Sequence, residues 1–153
     1  MKRSRQVTVL GALLISGAIL LGGCGGSGGG KRLTKAQYAA KANALCTDLN
    51  KASKALGNPT STAEVTAGLD KLLPIERSLV AKLIKLNPPA SEEATAKKAV
   101  AAVDQLTTSE EQLNALLKKG DMAKAQKLIA TLSGPGSKVN ALFKQLGATE
   151  CAK

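Results

Sequence analysis

The chain has 153 residues and a formal net charge of +11, from 22 Lys and Arg against 11 Asp and Glu. It contains no His, which excludes histidine-dependent serine triads, the Glu-x-x-His di-metal sites of helical bundles and zinc sites built on helical histidines. It also contains no Trp, one Tyr and one Phe, too few aromatic rings for the stacking platforms that bind single-stranded nucleic acid.

The first segment has the pattern of a secretory signal peptide. Lys2, Arg3 and Arg5 form a positive start, an apolar run covers residues 7–21, and small residues lead into Cys24. A charged head, a short apolar core and a small-residue exit are typical of export signals. The apolar run is also shorter than the ~20 residues that a membrane-spanning helix needs. We therefore predict an exported protein.

The end of this segment, Leu-Gly-Gly-Cys at residues 21–24, resembles the lipobox of bacterial lipoprotein precursors. The resemblance implies cleavage between Gly23 and Cys24, with a diacylglycerol and acyl chains such as palmitate on Cys24. Two or more such chains hold a protein stably in a bilayer, which predicts a lipid anchor on the extracytoplasmic side of the cell membrane. The alternative is an ordinary signal peptide, or an uncleaved anchor, with an incidental cysteine.

The predicted domain organisation follows from this cleavage. Residues 1–23 are the signal peptide, and residues 24–30 are the lipidated cysteine with a Gly-rich, flexible tether. Residues 31–153 are long enough for one folded domain with a single core.

From residue 31 onward the apolar residues recur at helical spacing and do not alternate as they would in a strand. Thr34 and Gln37 can form a capping box, which predicts the start of a first helix. Gly-Asn-Pro at residues 57–59 predicts its end.

A second capping box, Ser61 with Glu64, predicts the start of the next helix. This helix should end before Asn-Pro-Pro at residues 87–89. Pro74 lies inside it and should kink it, because proline removes a backbone donor and clashes with the preceding turn.

Two further helices complete the pattern, with Ser91 as the predicted cap of the third and Asp121 as that of the fourth. Gly134 and Gly136 flank a proline in the fourth helix, so we expect this helix to be bent or split there. The predicted fold class is all-α, an up-and-down bundle of about four helices joined by short loops.

Two cysteines remain once Cys24 carries lipid: Cys46 in the first helix and Cys151 near the C-terminus. An exported chain with an even number of cysteines permits a disulfide, which would tie the tail to the first helix. A pair of free thiols, one of them buried, is the alternative.

The domain is also similar to a loose group of small secreted or lipid-anchored helical proteins, frequent in actinobacteria and without an assigned function. The shared features are Tyr38 followed by Ala-Asn-Ala-Leu-Cys at 42–46, Pro-Pro at 88–89, and Leu-Gly at 146–147 with Cys151. The resemblance implies a helical bundle with a bridge between the two cysteines, and it carries over no catalytic residue. The Gly-Pro-Gly in the last helix departs from the group's pattern.

Glu76 and Glu110 interrupt the apolar stripes of the second and third helices. Each lies at helical spacing between two leucines of its stripe. They either sit at the rim of the stripe or line a small polar pocket inside the bundle. No metal site is expected, and no cofactor other than the lipid on Cys24.

Four lysines gather around the loop between the third and fourth helices: Lys118, Lys119, Lys124 and Lys127. A basic patch there could meet anionic lipid headgroups or wall polymers, although a solvated helical face is the commoner explanation. The expected partners are the membrane, an envelope protein or an anionic surface. Nucleic acid is not expected, since export removes it as a target. The sequence does not indicate the oligomeric state.

These patterns predict a non-catalytic, lipid-anchored protein of the cell envelope, which presents a face to an envelope component or holds a small ligand. The alternative is a ligand-binding or enzyme-accessory lipoprotein that uses buried carboxylates and Tyr38. A cavity containing Glu76 and Glu110 with raised pKa values would favour ligand binding or chemistry. A filled core with an exposed apolar patch would favour a protein partner.

Overall fold

The computed structural model describes residues 31–153, so the predicted signal peptide, the lipidation site at Cys24 and the tether lie outside the described residues. Within this range the chain forms no strand and four helices: α1 (Lys35–Ala55), α2 (Thr62–Ile84), α3 (Glu93–Lys118) and α4 (Met122–Gln145). The predicted all-α bundle of four helices is confirmed. None of the helices in this range is long and apolar enough to cross a membrane.

Two short 3₁₀ turns complete the described chain. Ala90–Glu92 leads into α3, and Thr149–Ala152, here called the C-terminal turn, follows α4. The C-terminal turn packs between α1 and α4.

The start of α1, its end and the start of α4 follow the predicted capping. The Thr34 hydroxyl accepts from the backbone N–H of Gln37 at 3.2 Å, and the Gln37 side chain accepts from the N–H of Thr34 at 3.0 Å. Gly57 ends α1 with a φ of 65°, a left-handed conformation that glycine adopts without strain. The carboxylate of Asp121 accepts from the N–H of Lys124 at 3.3 Å.

The start of α2 follows only half of the predicted capping box. Ser61 accepts from the N–H of Glu64 at 3.2 Å. The carboxylate of Glu64 does not return to Ser61 but reaches one residue further and accepts from the N–H of Thr60 at 2.6 Å. A carboxylate in this first turn is still favourable, because it lies at the positive end of the helix dipole.

The predicted cap at Ser91 is wrong. Pro89 leaves the preceding segment in an extended conformation, and its carbonyl accepts from the N–H of Glu92 at 3.0 Å. This bond closes a 3₁₀ turn that contains Ser91. α3 therefore begins at Glu93, two residues after Ser91, and has no side-chain cap.

Both helices that contain an internal proline are continuous. α2 runs through Pro74, and α4 runs through Gly134 and Gly136. A split of α4 is therefore wrong, because buried Ala125 before the glycines and buried Phe143 after them hold one helix in the bundle. The kink at Pro74 and a bend in α4 stay predictions.

The hydrophobic core consists of two clusters along the bundle. The disulfide end draws buried residues from all four helices, with Tyr38, Leu83, Ala99 and Phe143 among the most buried. The loop end, near the α3–α4 connection, draws on α3 and α4 with partly buried residues of α2: Leu113, Leu117, Ala125, Val65 and Leu69.

A disulfide ties the C-terminal turn to α1. Cys46 and Cys151 are bonded, with their Cα atoms 5.1 Å apart. Two hydrogen bonds flank the bridge: Glu150 N–H donates to Asn43 Oδ1 at 2.8 Å, and Asn50 Nδ2 donates to the Glu150 carbonyl at 2.9 Å. The predicted bridge is confirmed, and the alternative of free thiols is wrong.

Candidate functional site

Glu76 of α2 and Glu110 of α3, here called the Glu pair, line one cavity at the side of the disulfide end that faces the loop end. The cavity has a volume of about 230 Å³. On α2 the buried residues of the disulfide end begin at Leu79, and on α3 those of the loop end begin at Leu113. The sequence pattern allowed two places for Glu76 and Glu110, the rim of the apolar stripe or a pocket inside the bundle. The structure brings both side chains to a common pocket.

The environment of Glu110 opposes its ionisation. Its pKa is raised from 4.5 to about 8, first because the carboxyl is partly buried and loses hydration. The neighbouring Glu76 carboxyl raises the pKa of Glu110 further, through a hydrogen bond to its protonated form and through the repulsion of a second negative charge. At neutral pH the Glu pair therefore holds a proton.

One oxygen of the Glu pair lacks a donor. Oε2 of Glu76 is buried, and the described residues offer it no hydrogen-bond donor when both carboxyls are ionised. A buried acceptor without a donor is costly, because it has lost its hydration without replacement. The missing donor can come from the proton on Glu110 or from a bound molecule.

The rest of the lining is uncharged or internally paired. Lys153 donates to the Glu150 carboxylate at 2.6 Å, and both of these residues line the cavity. Three uncharged polar side chains also line it: Asn50, Thr107 and Asn140. The charge available to a ligand therefore comes chiefly from the Glu pair.

Gly136 of α4 forms one wall of the cavity. A Cβ added to its backbone would meet no atom within 4 Å, and the same holds for exposed Gly134, which does not line the cavity. The glycine pattern that suggested a break in the last helix instead leaves space beside the Glu pair.

Arg77 fixes α2 against α3 beside the cavity. Its guanidinium donates to Glu111 Oε1 at 2.7 Å and to Thr108 Oγ1 at 3.0 Å, and it forms an ion pair with Asp104. Arg77 lowers the pKa of Glu111 through its hydrogen bond. Because Arg77 and Glu111 directly follow the members of the Glu pair in sequence, their contact joins α2 to α3 next to the two glutamates.

Sequence analysis did not assign a role to Arg77. The available signal was the recurrence of Asp104, Thr108 and Glu111 at spacings of four and three, which places these acceptors on one face of α3. Which arginine they face depends on the packing of α2, and the sequence pattern alone does not contain that information.

Tyr38 lies in a different cavity from the Glu pair. It is 1% exposed in the disulfide end and lines a groove between α2 and α3. Burial raises the pKa of its hydroxyl. The structure therefore does not bring Tyr38 and the buried carboxylates into one site.

The four lysines of the predicted basic patch are exposed around the α3–α4 connection. Lys118 pairs with Asp70 of α2, and Lys124 pairs with Asp121 at 2.7 Å. Lys119 and Lys127 are exposed as well. The two ion pairs reduce the positive charge that this patch offers to an anionic surface.

Residues 31–153 contain no group of three or more His, Cys, Asp or Glu side chains placed to hold a metal ion. Comparison with protein-family models, with curated proteins and with solved structures finds no significant match to this chain.

Proposed function

We propose that this chain is a bacterial lipoprotein, anchored through Cys24 outside the cytoplasm, whose helical domain binds a small ligand at the Glu pair without catalysing a reaction. One observation carries the binding proposal: two glutamates from different helices line one cavity of the bundle, and the pKa of Glu110 is raised to about 8. Perturbed carboxyls in a cavity are typical of functional sites.

The chemistry of the cavity favours a ligand that donates hydrogen bonds, most simply a protonated amine. Once the proton of Glu110 is lost, Oε2 of Glu76 has no donor among the described residues, and the remaining charges of the lining, Glu150 and Lys153, satisfy each other. A cation that displaces the proton of Glu110 would also relieve the repulsion between the two carboxylates.

The size of the cavity limits the class of ligand. At about 230 Å³ it is smaller than the ~300–1,000 Å³ typical of drug-sized ligands, which leaves space for a small molecule only. Two carboxyls that share a proton can also act as an acid–base dyad. An enzyme-accessory role on this basis is the second candidate function.

The test uses the full-length protein in nanodiscs, titrated with ethanolamine or putrescine at about pH 6 and about pH 9, on either side of the Glu110 pKa of about 8. We expect saturable binding that tightens at the higher pH, because the amine no longer competes with the proton. Glu110→Gln and Glu76→Gln should each weaken it at least tenfold.

Asp48→Asn is the matched control, because it removes one negative charge at an exposed position of α1. It should leave amine binding unchanged. If Asp48→Asn weakened amine binding as much as the two glutamate variants do, or if no saturable binding occurred at either pH, an amine ligand at the Glu pair would be refuted.

The anchor is tested separately with Cys24→Ser. This change removes the thiol that would carry lipid, so the protein should leave the membrane fraction, since two or more acyl chains supply its hold on the bilayer. Cys46→Ser removes a different cysteine and should retain membrane association. If a Cys24→Ser protein of mature length stayed in the membrane fraction, the lipid anchor would be excluded.

A further inference from the structure

A second cavity lies between α2 and α3 at the disulfide end, separate from the Glu pair. This groove has a volume of about 500 Å³, within the ~300–1,000 Å³ range of small-molecule sites. Its walls are mainly aliphatic: Val80, Leu83, Leu86, Ala96 and Val100. The groove therefore fits a mostly apolar molecule.

The Tyr38 side chain supplies one unused donor to this apolar groove. Tyr38 is 1% exposed and lines the groove, and its buried hydroxyl has no hydrogen-bond partner among the described residues. A buried hydroxyl normally has a partner, because burial removes its water. A ligand with a single acceptor, such as a carbonyl oxygen, would supply the missing partner of the Tyr38 hydroxyl.

The charges at the rim of the groove indicate a neutral ligand. Glu93 is paired with Arg32 at 2.8 Å and with Lys97 at 2.7 Å. Asp104 is paired with Arg77. Because these ions already have partners of opposite charge, the rim has no strong preference for an anion or a cation.

The groove lies where the chain enters the domain. Leu33 N–H donates to the Asn87 carbonyl at 2.8 Å, and Arg32 donates to the Pro88 carbonyl at 3.1 Å. Asn87 and Pro88 both line the groove, and Ile84, which is 66% exposed, lies at the same edge.

Cys24 precedes Lys31 by seven residues. Seven residues reach at most about 25 Å even at full extension. A lipid anchor on Cys24, which rests on the proposed function, would hold the groove close to the bilayer surface.

We propose that the α2–α3 groove binds one neutral, single-chain lipid drawn from the adjacent membrane, with its ester carbonyl accepting a hydrogen bond from Tyr38. The aliphatic walls would hold the acyl chain, and the uncharged head would stay at the surface beside the ion pairs of the rim. The lipid anchor would keep the groove near the membrane from which the ligand comes.

The test uses the full-length protein in nanodiscs with a photoreactive monoacylglycerol that carries a diazirine in its acyl chain. Cross-linked peptides are identified by mass spectrometry. We expect saturable labelling of α2 and α3 at the groove. Ala101→Phe places a bulky ring at an exposed position that lines the groove and should reduce labelling at least tenfold. Lys98→Phe, exposed on α3 outside the groove, is the matched control and should not reduce it.

The hydrogen bond is tested with an ether analogue of the same probe, which has no carbonyl. Tyr38→Phe keeps the ring and removes the hydroxyl, so affinity for the ester should fall about 3- to 10-fold, with no change for the ether. Equal effects on both probes would overturn the role of Tyr38. Labelling that Ala101→Phe does not reduce would overturn the lipid site.

A second measurement keeps the result independent of cross-linking yield. Tyr38 is the only tyrosine and the chain has no tryptophan, so in dodecyl maltoside micelles, which add no aromatic residue, the tyrosine absorption band reports this hydroxyl alone. The ester should shift the band and the ether should not; a band that neither probe moves would count against the contact. Glu110→Gln should retain lipid binding, so failure here is distinguishable from failure of the amine site.

Discussion

The two ends of the bundle are stabilised differently. At the disulfide end, small residues of the helices, such as Ala42 and Ala99 at 0% exposure, allow close packing around Tyr38 and Phe143, and the bridge adds a covalent tie. The loop end has a smaller buried cluster and receives no core residue from α1. The two proposed ligand sites border the disulfide end, although a further cavity of about 410 Å³ lies beside Val65 and Leu69 at the loop end.

This difference indicates where the molecule can tolerate a polar site. The Glu pair lies at the boundary of the two clusters, where apolar neighbours remove water without closing the cavity. Burial there raises the pKa of Glu110, which destabilises the ionised form. The disulfide and the dense packing of the adjacent end offset that cost.

The largest expected effect comes from removing the bridge. Cys46→Ala with Cys151→Ala opens a loop with a sequence separation of 105, and the free energy of unfolding should fall by about 2–5 kcal/mol. Urea denaturation measures the total loss. Hydrogen exchange should show that amides of the disulfide end lose more protection than those of the loop end; equal losses at both ends would remove the distinction between them.

Matched truncations in the two clusters should have unequal effects. Leu83 is 1% exposed in the larger cluster, and Leu117 is 8% exposed in the smaller one. We expect Leu83→Ala to lower the free energy of unfolding by about 3–4 kcal/mol and Leu117→Ala by about 2–3 kcal/mol, measured in urea. The reverse order would show that the loop end is the more tightly packed.

The four helices could be predicted because caps and apolar periodicity are local signals. Thr34, Gly57 and Asp121 mark helix ends through bonds to near neighbours in the chain. The cap predicted at Ser91 was wrong because Pro89 begins a 3₁₀ turn, an alternative that offers the backbone similar hydrogen bonds. A split of α4 at Gly134 and Gly136 was also wrong, since the helix is continuous there, while a bend stays a prediction.

The candidate site could be predicted only in part. Two acidic residues on apolar stripes singled out Glu76 and Glu110, but their meeting depends on the register of α2 against α3. That register brings Arg77 to partners that are 27 to 34 residues away in sequence. The groove at Tyr38 gave no sequence signal, because a tyrosine on an apolar stripe has the same pattern whether or not its hydroxyl has a partner.

The stability of the protein should depend on pH through Glu110. Its pKa of about 8 in the folded state lies above the ordinary 4.5, so between these values the folded state holds a proton that the unfolded state has lost. The contribution of Glu110 to the free energy of unfolding should therefore be largest below pH 4.5, fall as pH rises to about 8, and level off above it.

The expected fall is about 1–2 kcal/mol, less than the full shift implies, because solvent reaches the cavity and screens the carboxyl. In urea unfolding, Glu110→Gln should lack this pH-dependent fall in the free energy of unfolding. The exposed control Asp48→Asn should still show the fall. A wild-type profile parallel to that of Glu110→Gln would refute the linkage.

The smallest expected effect concerns the two glycines of α4. Gly134→Ala and Gly136→Ala should each raise the free energy of unfolding by about 0.5–1 kcal/mol, because alanine favours a helix and neither new Cβ meets an atom. Gly136→Leu should in addition fill the cavity and abolish amine binding, whereas Gly134→Leu should retain it. Equal binding by both leucine variants would exclude Gly136 as a wall of the site.

The most direct test of a tuned carboxyl site between the two ends of the core is to measure the titration of the Glu pair. Carboxyl ¹³C NMR of the intact protein should show one carboxyl that titrates near pH 8. In Glu76→Gln its midpoint should move down but stay above the ordinary value, because desolvation remains when the second charge is gone. If every Asp and Glu carboxyl of the wild-type protein titrated below about pH 5, the Glu pair would be an ordinary surface feature and the account would be contradicted.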